Sequence, residues 1–310
     1  MSAQKIISVI GGNGFIGSYL VDLLLDKGYF VKVISRNPKA SRTFYPSAKL
    51  GQINEISCDI TNDKKLSNAI KGSFSVINLV GILEPKGRND FERAHVRGSE
   101  KLIDACNQNG IDKFIQISAI GVEKNKTSRY AITKLQAENR VKKLKRSIII
   151  RPSIVCGEED NFLNFFAKYA KYSPILPLIG GGNTKFQPIH VSDLANIITL
   201  CINKDFKRGQ IIEVGGPDIL TFKEILSYLI AELKIKRVLL NIPFPAAKKI
   251  AYILEKLPIS LMTRDQVEML KCDNIVSRNY SHKKYFEYNP NSFYDFAKKQ
   301  LKIFTKDGGH

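Results

Sequence analysis

The chain predicts an α/β protein built on a doubly wound parallel sheet, with a smaller lobe toward its C-terminal end. Three observations carry that expectation. Short β-branched runs alternate with helical patterns through the first half. A glycine-rich turn joins the first run to the first helix. After Pro152 the composition shifts to aromatic and Pro/Gly-punctuated segments.

In order, the expected elements are strand IISVI (6–10), helix 15–27, strand YFVKVIS (29–35), strand INEIS (53–57) and helix 63–71. Strand SVINLV (75–80), helix 91–109, strand KFIQIS (113–118), helix 129–144 and strand SIIIR (147–151) follow. Apolar runs of four to seven residues suit strands buried on both faces, and the intervening 3.6-residue periodicity suits crossover helices. NFLNFFAKYAKY (161–172) reads as an aromatic-rich helix, and SPILPLIGGG (173–182) as an insertion that forms the floor or lid of a cleft. Strand QIIEV (210–214) and helix 221–233 return to the main core, and residues from about 235 form a second lobe. The expected division is 1–151 plus 187–233 for the nucleotide-binding domain and 152–186 plus 234–310 for a small substrate or partner lobe.

A chain of 310 residues with 44% hydrophobic content buries a large core. Its 48 Lys+Arg against 29 Asp+Glu give a net charge of +19. That charge fits either a solvated basic surface or attraction to an anionic membrane or acidic partner. No nucleic-acid module accompanies it, so no nucleic acid is expected. Five scattered cysteines without a C-x-x-C indicate a reduced setting, and dispersed histidines give no metal site. Only Met1 to Gln4 precede the first apolar run, so no signal or transit peptide is expected. No apolar run approaches the ~20 residues of a spanning helix. The expected location is cytoplasmic, with any membrane contact peripheral and on the cytoplasmic face.

The chemistry begins at Gly11-Gly12-Asn13-Gly14-Phe15-Ile16-Gly17. Gly11 permits the tight turn, Gly14 lets a pyrophosphate approach the backbone, and Gly17 lets helix and strand pack closely. The N–H groups of the helix start then face the phosphates. The second strand ends in Ser35-Arg36, where an NAD site wants a carboxylate and an NADP site a cation, so NADP(H) is expected over NAD(H). Lys39 and Arg42 add positive charge nearby. Asp59-Ile60 follows the third strand, where a carboxylate either accepts from the adenine amine or caps the next helix. Asn78-Leu79-Val80-Gly81 ends the fourth strand beside the adenine-side ribose.

GGNGFIG, the CDI after strand three, NLVG, Tyr130-x-x-x-Lys134 and Arg151-Pro152-Ser153 together resemble the extended or atypical short-chain dehydrogenase/reductase superfamily. RPSIVCGEEDNFLNFFA (151–167), PLIGGGNTKFQPIHVSDLA (177–195) and TRDQVEMLKCDNIV (263–276) resemble its branch containing the NADPH-binding accessory subunit of respiratory complex I and bacterial relatives. The resemblance implies a Rossmann-type sheet, cofactor contact reaching Pro152, and respiratory-complex subunits as partners. It also implies that Tyr130 passes a proton to substrate while Lys134 binds the nicotinamide ribose and lowers the tyrosine pKa. The third group of that machinery is a hydroxyl after strand five, and the sequence has Ser118 at the first usual position but Ala119 at the second, normally catalytic one. Thr127 and Ser128 are other candidate donors. Three readings follow: a cofactor-stabilised accessory or assembly factor in which Tyr130 and Lys134 only dock NADPH, a working NADP-dependent reductase or epimerase on a small carbonyl, sugar-nucleotide or quinone-like substrate, or a transcriptional sensor of the NADP/NADPH ratio that binds without reacting.

Residues 244–262 place Ala247, Ile250, Ala251, Leu254 and Leu257 on one helical stripe, which faces either the lobe core or a membrane or partner. The run from Lys142 to Arg146 reads as a basic helix end.

Overall fold

Strands of a parallel sheet are buried on both faces, and IISVI, FVKVIS and RSIIIRP supply the near-continuous apolar runs this requires. The computed structural model describes residues 5–38, 45–85, 90–256 and 262–305. Six strands come first: β1 (Ile6–Ile10), β2 (Phe30–Ser35), β3 (Ile53–Ser57), β4 (Ser75–Asn78), β5 (Lys113–Ile117) and β6 (Arg146–Pro152). Four short strands, β7 (Val155–Cys156), β8 (Ile175–Ile179), β9 (Lys185–Phe186) and β10 (Ile189–His190), lie in small two-stranded sheets. β11 (Gln210–Val214) then completes a seven-stranded parallel sheet in the order β11-β6-β5-β4-β1-β2-β3.

The chain winds from β1 to β3 in one direction and from β4 to β11 in the other. The order therefore reverses between β1 and β4, which pair from Ile7↔Ser75 to Ile10↔Asn78. A crevice opens at the carboxyl ends of strands at such a switch point. Every expected site residue follows or ends a strand at that edge, or lies on a helix beginning there.

Helices α1 (Phe15–Asp26) and α6 (Val191–Asn203) share one core with the sheet, through Leu20, Leu24, Leu194 and Ile198. On the other face α2 (Asp63–Ile70), α3 (Gly98–Gln108) and α4 (Arg129–Val141) bury Leu66, Leu102 and Val141 beside the fully enclosed Phe114. A third core joins α5 (Leu163–Tyr172), α7 (Phe222–Glu232) and α10 (Phe293–Leu301), so the helix expected over 221–233 packs its apolar face on these two helices and does not return to the main core. A small fourth core holds α8 (Phe244–Leu254) against α9 (Arg264–Met269) through Ala247, Ala251 and Val267.

The structure departs from the sequence reading at several elements. The helix expected over 91–109 starts as a π-helical segment, Glu92–Arg97, before α3. The segment 173–182 contains a strand, β8, paired in parallel with β13 (Val238–Ile242). α6, which is not among the expected elements, buries nine of its thirteen residues. α4 ends at Val141, so Lys142 caps it and the basic run continues as a turn into β6. On α8 the inward stripe is Ala247 and Ala251, whereas Ile250 is exposed with Tyr252 and Ile253. Leu257, Lys39, Arg42 and the terminal residues 307–310 lie outside the described residues. Among the described residues no helix is long and apolar enough to cross a membrane.

Candidate functional site

The glycine turn sits at the switch point. Gly11 adopts φ +78°, a left-handed conformation that favours glycine, and its N–H donates to the Ile34 carbonyl at 2.8 Å. The Gly14 N–H closes the turn on the Gly11 carbonyl at 3.0 Å, and Gly14 caps α1 without a side chain. A Cβ at Gly17 would lie 2.5 Å from the Gly11 carbonyl oxygen and 2.6 Å from that of Gly12. Only glycine brings the helix this near. Asn13 reaches across to the Asn37 carbonyl at 3.2 Å. The Phe15 ring packs edge-on to Tyr19 and against Gly157, while Ile16 packs against the first core. The first turn of α1 has no acidic residue, so its N–H groups are available to an anion.

At the end of β2, the Ser35 hydroxyl is buried with no hydrogen-bond partner among the described residues, and Arg36 is exposed beside it. Asp59 does not cap α2, since Asn62 does so by accepting from the Lys65 N–H. Asp59 instead closes the preceding turn, accepting from the Thr61 N–H at 2.8 Å and its hydroxyl at 2.6 Å, and pairs with Arg93 at 3.4 Å. Partial burial pushes its carboxyl up, but the Thr61 bonds and the charges of Arg93 and Arg36 prevail and hold it below its ordinary value. Ile60 is buried against Gly98. Val80 closes on the glycine turn, its Cγ2 3.5 Å from where a Gly11 Cβ would stand.

Tyr130 and Lys134 meet as their spacing on α4 predicts. Lys134 Nζ lies 6.0 Å from the Tyr130 ring centre and donates to the Ile117 carbonyl at 3.1 Å. It stands 2.9 Å from the position a Gly81 Cβ would take, so any side chain at Gly81 would displace it. Burial pulls the lysine pKa down to about 8, against the opposing attraction of Glu138 one turn on. The Tyr130 phenol goes the other way: burial, reinforced by the charge of Asp265, pushes it up to about 12. Its hydroxyl makes no hydrogen bond to a described residue.

His95, on the π-helical segment, belongs to this cluster and carried no sequence signal. Its Nε2 accepts from the Ile82 N–H at 3.2 Å, which leaves the proton on Nδ1, 2.9 Å from the Thr133 hydroxyl. Burial, with help from Lys134, pushes its pKa down to about 2, so it stays neutral. The imidazole thereby ties the loop after β4 to α4, and its ring packs edge-on against Tyr130 at 5.5 Å.

Of the two positions after β5, the hydroxyl is on the buried one. Ser118 is 4% exposed and its Oγ has no partner among the described residues, whereas Ala119 is partly exposed. Thr127 and Ser128 are not free donors, because both are engaged by side chains of α9. Thr127 donates to Glu268 at 2.8 Å and Ser128 to Asp265 at 2.7 Å. Asp265 and Glu268 lie more than 130 residues from their partners, a separation that leaves no local pattern.

Arg151, beside Pro152 on β6, is 2% exposed and forms a two-point pair with Glu138 of α4 at 2.8 and 2.7 Å. Glu123 at 2.7 Å and Glu213 of β11 at 3.6 Å complete its surroundings. Glu213 in turn accepts from the Ser277 N–H, so one guanidinium locks α4, two strands and the C-terminal segment. The Pro152 carbonyl accepts from the Ile120 N–H at 3.1 Å. Among the described residues no cluster of three metal-ligating side chains occurs.

Residues 7–215 match the NAD dependent epimerase/dehydratase family. A relative from Arabidopsis thaliana, NADH dehydrogenase (ubiquinone) 1 alpha subcomplex subunit 9, mitochondrial, is 34% identical over 288 residues, covering 88% of this chain and 71% of the relative. The NADH-ubiquinone oxidoreductase 40 kDa subunit, mitochondrial, of Neurospora crassa is 28% identical over 271 residues, covering 87% and 71%. Among solved structures, DesIV (dTDP-glucose 4,6-dehydratase) from Streptomyces venezuelae with NAD and TYD bound superposes with a TM-score of 0.74 at 18% identity, covering 96% of each chain. That likeness is one of fold. Because the family match runs from the first strand of the central sheet to the last, the chain belongs to the NAD dependent epimerase/dehydratase family.

Proposed function

We propose that this protein holds NADP(H) as a structural cofactor and acts as an accessory subunit or assembly factor of a respiratory NADH:quinone oxidoreductase. The residues present fit the cofactor. A glycine cradle without acidic groups meets the phosphates, and two buried hydroxyls, Ser35 and Ser118, have no partner among the described residues and lie on either side of the switch between β1 and β4. Gly11, Asn13, Gly14, Phe15, Ile16 and Gly17 would hold the pyrophosphate, Ser35 and Arg36 the ribose phosphate, and Asp59 and Ile60 the adenine. Val80 and Gly81 would line the path to Tyr130, Lys134 and Pro152 at the nicotinamide end. When bound, NADPH supplies a hydride.

The observation that carries the docking reading over turnover is the pair of positions after β5: Ala119 at the partly exposed one removes the usual companion hydroxyl, and Ser118 is buried. Burial pushes the Tyr130 phenol up to about 12, so it stays protonated and serves as a hydrogen-bond donor to the cofactor. The similarity to complex I subunits supports the partner half of the reading. The outer face of α8, where Ile250, Tyr252 and Ile253 are exposed next to Lys249 and Lys256, supplies a basic apolar surface for docking beside a membrane.

Incubating the protein with NADPH and a panel of carbonyls and quinones tests the division of roles. We expect no cofactor oxidation by wild type or Tyr130→Phe. Turnover that disappears in Tyr130→Phe while NADPH still binds would establish a reductase instead. Co-migration with the respiratory complex in native membranes is expected, and its absence would remove the partner half.

A further inference from the structure

α4 carries Tyr130 and Lys134 and is capped by its own Ser128, whose hydroxyl oxygen accepts from the Ala131 N–H at 3.1 Å, but it brings no negative charge to its N-terminus. Its first residue is Arg129, its first turn holds no acidic side chain, and a cation at a helix N-terminus opposes the helix dipole. The missing carboxylate comes from the other lobe. Asp265, in the first turn of α9, accepts from the Arg129 N–H at 2.6 Å, the Tyr130 N–H at 3.2 Å and the Ser128 hydroxyl at 2.7 Å. Two helix N-termini converge on this one carboxylate, since α9 is itself capped by Thr263 and Gln266. Next to it Glu268 receives the Thr127 hydroxyl, and its backbone carbonyl the Asn125 side-chain amide at 2.7 Å. The backbone of Tyr130 is thus held by a residue 135 positions away.

We propose that Asp265 is a positioning residue: it cross-caps α4 from the small lobe and sets the height at which Tyr130 and Lys134 present themselves to the cofactor. The binding half of this statement rests on the nicotinamide-cofactor reading above; the backbone half does not. Docking of the α8/α9 hairpin and occupancy of the cofactor site are then linked, because each favours the ordered start of α4. Whatever grips or releases the hairpin alters the affinity of the cofactor site, and by reciprocity cofactor binding tightens the hairpin.

The test compares the full-length wild type with Asp265→Ala, Asp265→Asn and a control, Lys248→Ala. Lys248 pairs with Glu268 on the same hairpin and touches no backbone group of α4. Two readouts are taken: hydrogen exchange at the Arg129 and Tyr130 amides without cofactor, and NADPH affinity by fluorescence titration. Asp265→Ala is expected to exchange at least about tenfold faster at those amides and to bind NADPH at least about tenfold more weakly, with Asp265→Asn between it and wild type. Lys248→Ala should match wild type in both. If Asp265→Ala does not fold, Asp265→Asn carries the comparison by itself. Unchanged exchange in the Asp265 variants overturns the inference, as does unchanged NADPH affinity in a protein that binds it. Failure of wild type to bind NADPH overturns the function proposed above, and the exchange data still decide whether Asp265 positions α4.

Discussion

Replacing Lys134 with methionine should make the cofactor-free protein more stable at neutral pH while abolishing its stabilisation by NADPH. Lys134 is 4% exposed, and among the described residues it donates to the Ile117 carbonyl, which also accepts from the Gln116 amide at 3.1 Å. Methionine therefore fills the same channel and leaves no acceptor orphaned. A fall in pKa from 10.5 to about 8 corresponds to about 3 kcal/mol against holding the ammonium at pH 7. Between about pH 8 and 10.5 the unfolded chain keeps this proton and the folded chain has released it, so wild-type stability rises with pH across that window. The advantage of Lys134→Met should shrink from about 3 kcal/mol at pH 7 to about 1.5 kcal/mol at pH 9.5. For a chain of this length the neutral-pH gain is about 4 °C in Tm. Thermal unfolding of both proteins at the two pH values, with and without NADPH, reads all of this. A variant less stable than wild type at pH 7, or a difference independent of pH, would refute the argument.

Three further outcomes follow from the same geometry. Arg151→Met leaves Glu138, Glu123 and Glu213 facing one another without a cation; denaturant unfolding should show a loss of about 3–5 kcal/mol. Gly17→Ala drives a Cβ into two carbonyl oxygens at 2.5 and 2.6 Å, so it should lose about 1–3 kcal/mol and most of its NADPH affinity by titration. Arg36→Glu reverses the charge next to the buried Ser35 hydroxyl; isothermal titration should show NADPH weakened at least about tenfold and NADH unaffected or improved.

The fold was legible where local pattern and tertiary environment agree. The sheet strands announce themselves because both faces are buried, and GGNGFIG is informative because a strand precedes it and a helix follows. α6 is different: nine of its thirteen residues are buried, the polar Asp193 and Thr199 among them, so its burial does not follow the polarity of its residues. β8 and β13 pair across more than fifty residues, and β8 contains Pro177, so neither reads as a sheet element in isolation. Within the site, the spacing of Tyr130 and Lys134 and the placement of Gly11, Gly14 and Gly17 could be read directly. What surrounds them could not. His95 enters through a π-helical segment that shifts the register of its side chains, and Asp265 arrives from another lobe. Thr127 and Ser128 looked like spare hydroxyls until Glu268 and Asp265 occupied them. The environment of a side chain, more than its identity, separates a proton relay from a dock.

The central claim is that the chain retains a nicotinamide cofactor as part of its structure. Its most direct test is to denature the protein purified without added nucleotide and to identify and quantify what is released by mass spectrometry. NADP(H) is expected in near-equal amount to protein, with NADPH restoring thermal stability to the stripped chain more than NADH does. Absence of nucleotide, together with a stripped protein that neither NADPH nor NADH stabilises, would contradict it.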